Sequence, residues 1–265
     1  MGSGVLKEWD RLADFTARQI AFGGDVRRVF VAGEGPGVLV MSELPGITPE
    51  VGRFARYVRD AGFTVYMPDL FGVPGKPFDN GYMLVSALKI CISKEFCLFS
   101  SGDQTSPIVN WLRDLAALAH KECGGRGVGA VGMCLTGNFA LAMMLEPAML
   151  APVLAQPSLP VNDAAGLHIS PQDLQAVADR LQREDLTVLA YRFAGDRLCP
   201  AARFDALSAA LGSRLQARTL PDEAAKQGAP VKPHSVLTIH LIDEPGEPTR
   251  AALDEILTFF AKRLR

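Results

Sequence analysis

Apolar positions along the 265-residue chain fall into two patterns. Compact apolar runs occupy residues 27–32, 38–42, 63–67, 128–133, 152–155 and 187–193, as expected of buried strands. Between them, apolar residues recur at helical spacing. Thr48-Pro49-Glu50 supplies a capping residue, a proline at the first helical position and an acid in the first turn. Val51, Phe54, Ala55 and Val58 then follow three or four residues apart, and Gly62 closes the segment. Helices are also predicted over 82–96, 107–120, 170–183, 200–211 and 248–265, the last with Ala252, Ile256, Phe259 and Leu264 among its apolar positions.

A strand, a helix and a strand within about thirty residues make a βαβ unit, which predicts a parallel sheet with right-handed crossovers. The fold class read from this pattern is α/β, with a mostly parallel central sheet flanked by helices on both faces. Residues 215–220 read as an edge strand. The Pro- and Gly-rich segment 73–81 reads as a loop over the top of the sheet, and 100–106 as a polar separator between helices. Residues 1–25 read as a polar N-terminal extension of helical character. No repeat, low-complexity run or linker interrupts the sequence, so one domain over 1–265 is expected.

Composition narrows the function. A formal charge of −2 without a long basic run argues against nucleic acid. No apolar stretch approaches the ~20 residues of a membrane span, and the first residues lack the apolar core of a secretory signal. The five cysteines form no CxxC pair, which favours reduced thiols in a cytoplasm. Four histidines without HxH or HExxH spacing make a metal site unexpected, and no cofactor is called for.

The candidate chemistry centres on Gly132-Met133-Cys134-Leu135-Thr136-Gly137, between an apolar strand and an apolar helix. A glycine two residues before a nucleophile at such a junction outlines a nucleophile elbow, whose turn lifts the side chain above the sheet. A free thiol has a pKa of about 8.5, which a helix N-terminus or a histidine lowers. In this fold the partners follow the nucleophile in the order acid, then histidine. Of the three later histidines, His168 leaves almost no room for an acid, and His240 sits in apolar surroundings that suit packing. His234 follows a loop after the last strand, where a mobile base belongs. Asp196 directly follows the strand 187–193, at the carboxyl end where site groups gather in parallel sheets. Asp163, Asp173, Asp179 and Asp222 lie in loops or a helix. Plainer roles exist for each residue: an inert core thiol for Cys91, Cys97 and Cys123, a helix cap for Asp196, a surface loop for His234, and an ion pair for Glu43.

With these residues in view, the chain resembles the dienelactone hydrolase family, α/β-hydrolases with a cysteine where serine is usual. The matching segments are Ser42-Glu43-Leu44-Pro45-Gly46, Phe63-Thr64-Val65-Tyr66-Met67-Pro68-Asp69-Leu70-Phe71, Gly132-Met133-Cys134-Leu135, Ala194-Gly195-Asp196 and Pro233-His234-Ser235, in family order. The resemblance implies hydrolysis of a small carboxylic ester or lactone by a Cys134-Asp196-His234 triad through a thioester intermediate. It implies oxyanion contacts from the backbone N–H groups of Leu44 and Leu135, and a Glu43 that meets the resting thiol and helps to generate the thiolate. The family carries glycine where this chain has Thr136, and arginine where it has Thr238. Lys76 and Arg197 are the candidates to replace that arginine toward an anionic substrate. Three alternatives stand beside this reading: a thioesterase, a glutamine amidotransferase relative, and a catalytically silent binding or regulatory protein on the same scaffold.

Overall fold

The computed structural model describes residues 6–91, 95–96 and 105–265. Eight strands form one sheet: β1 (Thr16–Phe22), β2 (Asp25–Ala32), β3 (Gly37–Met41), β4 (Thr64–Pro68), β5 (Val128–Met133), β6 (Met149–Ala155), β7 (Val188–Phe193) and β8 (Leu215–Leu220). Their spatial order is β1-β2-β4-β3-β5-β6-β7-β8. β1 and β2 pair antiparallel with each other, β2 pairs antiparallel with β4, and every other pairing is parallel. The helices are α1 (Pro49–Asp60), α2 (Asn80–Cys91), α3 (Ile108–Cys123), α4 (Gly137–Ala142), α5 (Pro171–Arg183), α6 (Ala201–Leu211) and α7 (Pro248–Leu264). The mostly parallel α/β sandwich expected from the sequence is the observed architecture.

Alternation along the central strands divides the core into two layers. On β3, Val38 and Val40 join an apolar cluster with Val51, Phe54 and Val58 of α1 and Ile256 and Phe260 of α7. Leu39 and Met41 point the other way, into a cluster with Leu112 of α3, Leu141 of α4, Val177 of α5 and Leu207 of α6. A strand buried on both faces has no polar side, which is why these segments read as continuous apolar runs. α1 begins as its sequence implies: Thr48 Oγ1 accepts from the Val51 N–H, with Pro49 in the first turn.

Two expectations, the helical N-terminal extension and the extent of the helix over 82–96, need correction. The N-terminal extension is not helical over its described residues: 6–15 form no helix and 16–22 form β1. Gly23 and Gly24 take φ of +56° and +88°, the left-handed pair that closes a two-residue hairpin, and this commits the segment to pair with β2. The apolar helix expected after the elbow is present, six residues long and bracketed by 3₁₀ turns over 134–136 and 143–145. The helix expected over 82–96 is α2, ending at Cys91. Its expected continuation through 92–94, Cys97 and most of the separator 100–106 lie outside the described residues.

Candidate active site

The elbow forms where β5 ends. Met133 is still extended (φ −121°, ψ 133°), whereas Cys134 has φ +54°, a left-handed conformation that costs a non-glycine residue about 1–3 kcal/mol. Surrounding contacts hold it there. The N–H of Ser158 donates to the Cys134 carbonyl at 2.9 Å. A Cβ on Gly132 would stand 2.1 Å from the Thr136 carbonyl oxygen, and one on Gly137 2.5 Å from Pro157 Cα, so neither position accepts a side chain.

Thr136 stabilises this turn rather than crowding it. Its hydroxyl accepts from the Met133 N–H at 2.9 Å. Its one hydrogen has the carbonyls of Met133, Met41 and Ser42 within 3.0–3.2 Å. The side chain thereby ties the elbow to the end of β3, from which Glu43 and Leu44 depart. Thr136→Val, nearly equal in volume, strands the buried Met133 N–H and is expected to destabilise the fold by about 1–3 kcal/mol. Thr136→Ser should cost far less, as read by denaturant midpoints at unchanged m.

Asp196 and His234, the candidate acid and base, lie side by side. Asp196 Oδ2 lies 2.7 Å from His234 Nδ1, and Asp196 Oδ1 accepts from the N–H groups of Leu198 and Cys199 at 2.9 and 3.2 Å. Burial alone would raise Asp196; the hydrogen bond and charge of His234 and these two amides hold it below the usual carboxylate range. For His234 burial opposes protonation, yet the nearby Cys134 and Asp196 carry it well above its ordinary 6.5. Nε2 of His234 is buried and has no hydrogen-bond partner among the described residues, which leaves it open for proton transfer.

Glu43 sits at the start of the loop after β3, 2% exposed. Its Oε2 accepts from Ser235 Oγ at 2.7 Å and Gln156 Nε2 at 3.2 Å, and its Oε1 accepts from Thr238 Oγ1. Burial raises its pKa, and the Thr238 hydroxyl, His234 and Ser235 only partly offset that. All three donors are neutral, and none of these bonds runs to Cys134. Thr238 is one donor of a neutral cage around this carboxyl.

A cavity of about 200 Å³ joins these groups. Cys134, Glu43, Leu44, Asp196 and His234 line it, with Phe78, Met83, Leu198 and Ile239 as apolar wall. Phe78 comes from the loop expected to cover the sheet. Arg197 lines the cavity, while Lys76 turns aside to Asp79 and the face of Tyr82. Leu135 is buried in the first turn after Cys134. The rejected candidates have other work. His168 is bonded to Ser106 Oγ at 2.6 Å, and burial pushes it down to about 4. Asp173 and Asp179 bind Thr105 and Gln175, and the Asp163 Oδ1 accepts from the Ala165 N–H. Asp222 accepts from the Gly195 N–H at 2.8 Å and so braces the turn before Asp196. His240 does more than pack on Phe193: its Nδ1 accepts the Ser235 N–H at 3.1 Å and its Nε2 donates to the Val231 carbonyl at 3.2 Å. Gln156 escaped sequence reading, although its place directly after β6, at a strand's carboxyl end, was an available signal.

Among the described residues, no three His, Cys, Asp or Glu side chains are grouped as a metal site requires, and no helix is long and apolar enough to cross a membrane. The sequence model of the dienelactone hydrolase family matches residues 29–165, just over half of the chain. That span includes Glu43, Leu44, Cys134 and Leu135 but stops before Asp196 and His234. No curated protein matches the chain. Among solved structures, a putative dienelactone hydrolase from Klebsiella pneumoniae aligns over 94% of this chain and 99% of its own, with 17% identity and a TM-score of 0.62. A dienelactone hydrolase from Anabaena variabilis aligns over 95% and 98%, at 14% identity and a TM-score of 0.58. A dienelactone hydrolase-like promiscuous phosphotriesterase from metagenomic libraries aligns over 96% and 100%, at 19% identity and the same TM-score of 0.58. At these identities the likeness is one of fold.

Proposed function

The chain belongs to the dienelactone hydrolase family, and from that footing we propose that it hydrolyses a small carboxylic ester or lactone with Cys134 as nucleophile. The observation that carries this reading is the convergence of a left-handed Cys134 and a paired Asp196–His234 on one small cavity. In the proposed cycle the Cys134 thiolate adds to the carbonyl carbon. The oxyanion rests on the N–H groups of Leu135 and Leu44, a contact of the kind worth about 3 kcal/mol per donor in the transition state. Collapse breaks the C–O bond, and His234 Nε2 gives its proton to the departing alkoxide. Water then attacks the thioester as His234 takes up a proton, releasing the acid and restoring the thiol. Asp196 fixes the ring through Nδ1 and stabilises its charge throughout.

Glu43 contributes a buried carboxyl, in a cage of hydroxyl and amide donors that ties the loop bearing Leu44 to the loop bearing His234. The chemistry requires a reduced thiol, which fits a cytoplasmic protein. The cavity volume and apolar wall suit a short acyl group. Trapping tests the assignment. Incubation with p-nitrophenyl acetate at low pH, quenching in acid and peptide mass analysis should place an acetyl group on the Cys134 peptide. Turnover with the acetyl group on another residue, or with no adduct on Cys134 under single-turnover conditions, would sink the assignment.

A further inference from the structure

Near its end β7 carries an arginine where its alternation calls for an apolar residue. Val188 and Ala190 point into the layer shared with α3 to α6, and Arg192, next on that face, is 5% exposed. A guanidinium taken out of water is costly unless its N–H groups find acceptors. Arg192 finds them on one short loop: Nε donates to the Cys199 carbonyl at 2.8 Å and Nη2 to the Ala194 carbonyl at 2.9 Å. Its guanidinium also lies over the Phe204 ring of α6, 5.7 Å from the centroid.

Asp196 sits between those two anchored carbonyls. Cys199, held through its carbonyl, gives its own N–H to Asp196 Oδ1 at 3.2 Å, and Asp196 Oδ2 meets His234 Nδ1 at 2.7 Å. A continuous path of hydrogen bonds thus runs from Arg192 through Cys199 and Asp196 to the imidazole. Other fastenings hold this loop at single points. The Ala194 N–H donates to the Leu220 carbonyl at 2.8 Å, the Gly195 N–H donates to Asp222, and the Leu198 carbonyl accepts from Arg203 of α6 at 3.2 Å. Arg192 spans the loop from its first residue to its last.

We propose that Arg192 is a positioning residue for the acid: by bridging the two ends of the loop 194–199 it sets where Asp196 presents its carboxylate to His234. The inference rests on the Asp196–His234 pair of the proposed cycle, and its decisive readout is a hydrogen bond rather than turnover. In protein carrying isotopically labelled histidine, proton NMR follows the His234 Nδ1–H that binds Asp196, a signal identified by its loss in His234→Ala. Wild type, Arg192→Met and Arg192→Lys are compared, with Arg180→Met as the control. Arg180 is likewise buried, 6% exposed, and donates to the carbonyls of Glu146 and Pro147, ahead of β6 at the end of the sheet opposite the site.

Near-ultraviolet circular dichroism verifies folding. In folded Arg192→Met the signal should move upfield and its exchange with solvent should quicken by about tenfold or more. With p-nitrophenyl acetate, kcat should fall by about tenfold or more while KM changes by less than about threefold, since a displacement near 1 Å costs up to roughly 10²-fold. Arg180→Met should melt at lower temperature and keep the wild-type signal and kcat. An Arg192→Met protein with the wild-type signal would reduce Arg192 to a structural clamp and overturn the proposal. An equal change in Arg180→Met would overturn it too, by showing a general loosening of the fold. If Arg192→Met does not fold, Arg192→Lys decides, because a single nitrogen then replaces the fork that reaches both carbonyls. A smaller shift in the same direction supports the proposal, and an unchanged signal overturns it. Failure of acyl trapping at Cys134 is a separate result, because the proton signal reads the Asp196–His234 bond whether or not ester is turned over.

Discussion

Replacing Cys134 with alanine should lower kcat/KM for a small ester by roughly 10⁴-fold or more, the scale seen when a hydrolase triad loses its nucleophile. That is about 5.5 kcal/mol of transition-state stabilisation, at about 1.4 kcal/mol per factor of ten. It is large because the other proposed groups act through the sulfur: His234 has nothing to activate for acyl transfer, and the oxyanion donors have no adduct to hold. Residual turnover should come from binding and polarisation alone. The same position makes a second, opposite statement about stability. Cys134 is held at φ +54°, so Cys134→Gly relieves a strained backbone while Cys134→Ala keeps it. The glycine variant should be at least as stable as the alanine variant and equally inactive, because its backbone freedom in the unfolded chain offsets only part of the relief. Stopped-flow ester assays and denaturant titrations of the two variants check both statements.

His234→Ala should cost roughly 10³-fold or more in kcat, since it removes both the proton acceptor and the proton donor of the cycle. His240→Ala should cost about tenfold, because general-base chemistry survives but the backbone at Ser235 loses its imidazole acceptor. Measuring both variants in one assay separates the base from the residue that holds its loop, and a reversed ranking would reassign the triad. The pair also sets a pH window for stability. His234 binds its proton more tightly in the folded chain, its value standing well above the ordinary 6.5. Its contribution is therefore complete below about 6.5 and fades as pH rises through the higher folded value. Asp196 is held low in the folded chain, so its contribution is present above its ordinary 3.8 and is lost as acid titrates the folded carboxylate. The difference in unfolding free energy between wild type and His234→Ala should be greatest between these limits and shrink as pH rises through the folded value of His234.

The buried strands, the cap of α1 and the elbow were legible in the sequence because each is written locally. Alternation, Thr48-Pro49-Glu50 and Gly132-Met133-Cys134 all act within a few residues of themselves. The pairing of Asp196 with His234 followed from their places after β7 and after the last strand, since the sheet topology carries strand ends to one side. β1 was missed although Arg18, Ile20 and Phe22 turn inward in alternation and Gly23-Gly24 marks a hairpin. Arg18 on the inner face is polar and Ala21 on the outer face is not, which blurs the alternation of this half-exposed strand. The environment of Glu43 was not legible. Its donors lie 113, 192 and 195 residues away in the chain, and nothing near Glu43 encodes a hydroxyl at Thr238 or an amide at Gln156. The burial of Arg203 on α6, 1% exposed, was invisible for the same reason, since its donors go to backbone carbonyls that every residue possesses.

The bond from Glu43 to Thr238 spans 195 residues, and the one from Asp196 to His234 spans 38. On the ribosome the chain is made in that order. The thiol therefore emerges together with its glycines, while the imidazole proposed to activate it has still to be translated. Any growing chain that has reached the elbow but not the last loop carries a cysteine without its base, and a buried carboxyl without two of its three donors. On the proposed mechanism, ester turnover therefore begins only when the last loop has been made and has closed on the elbow.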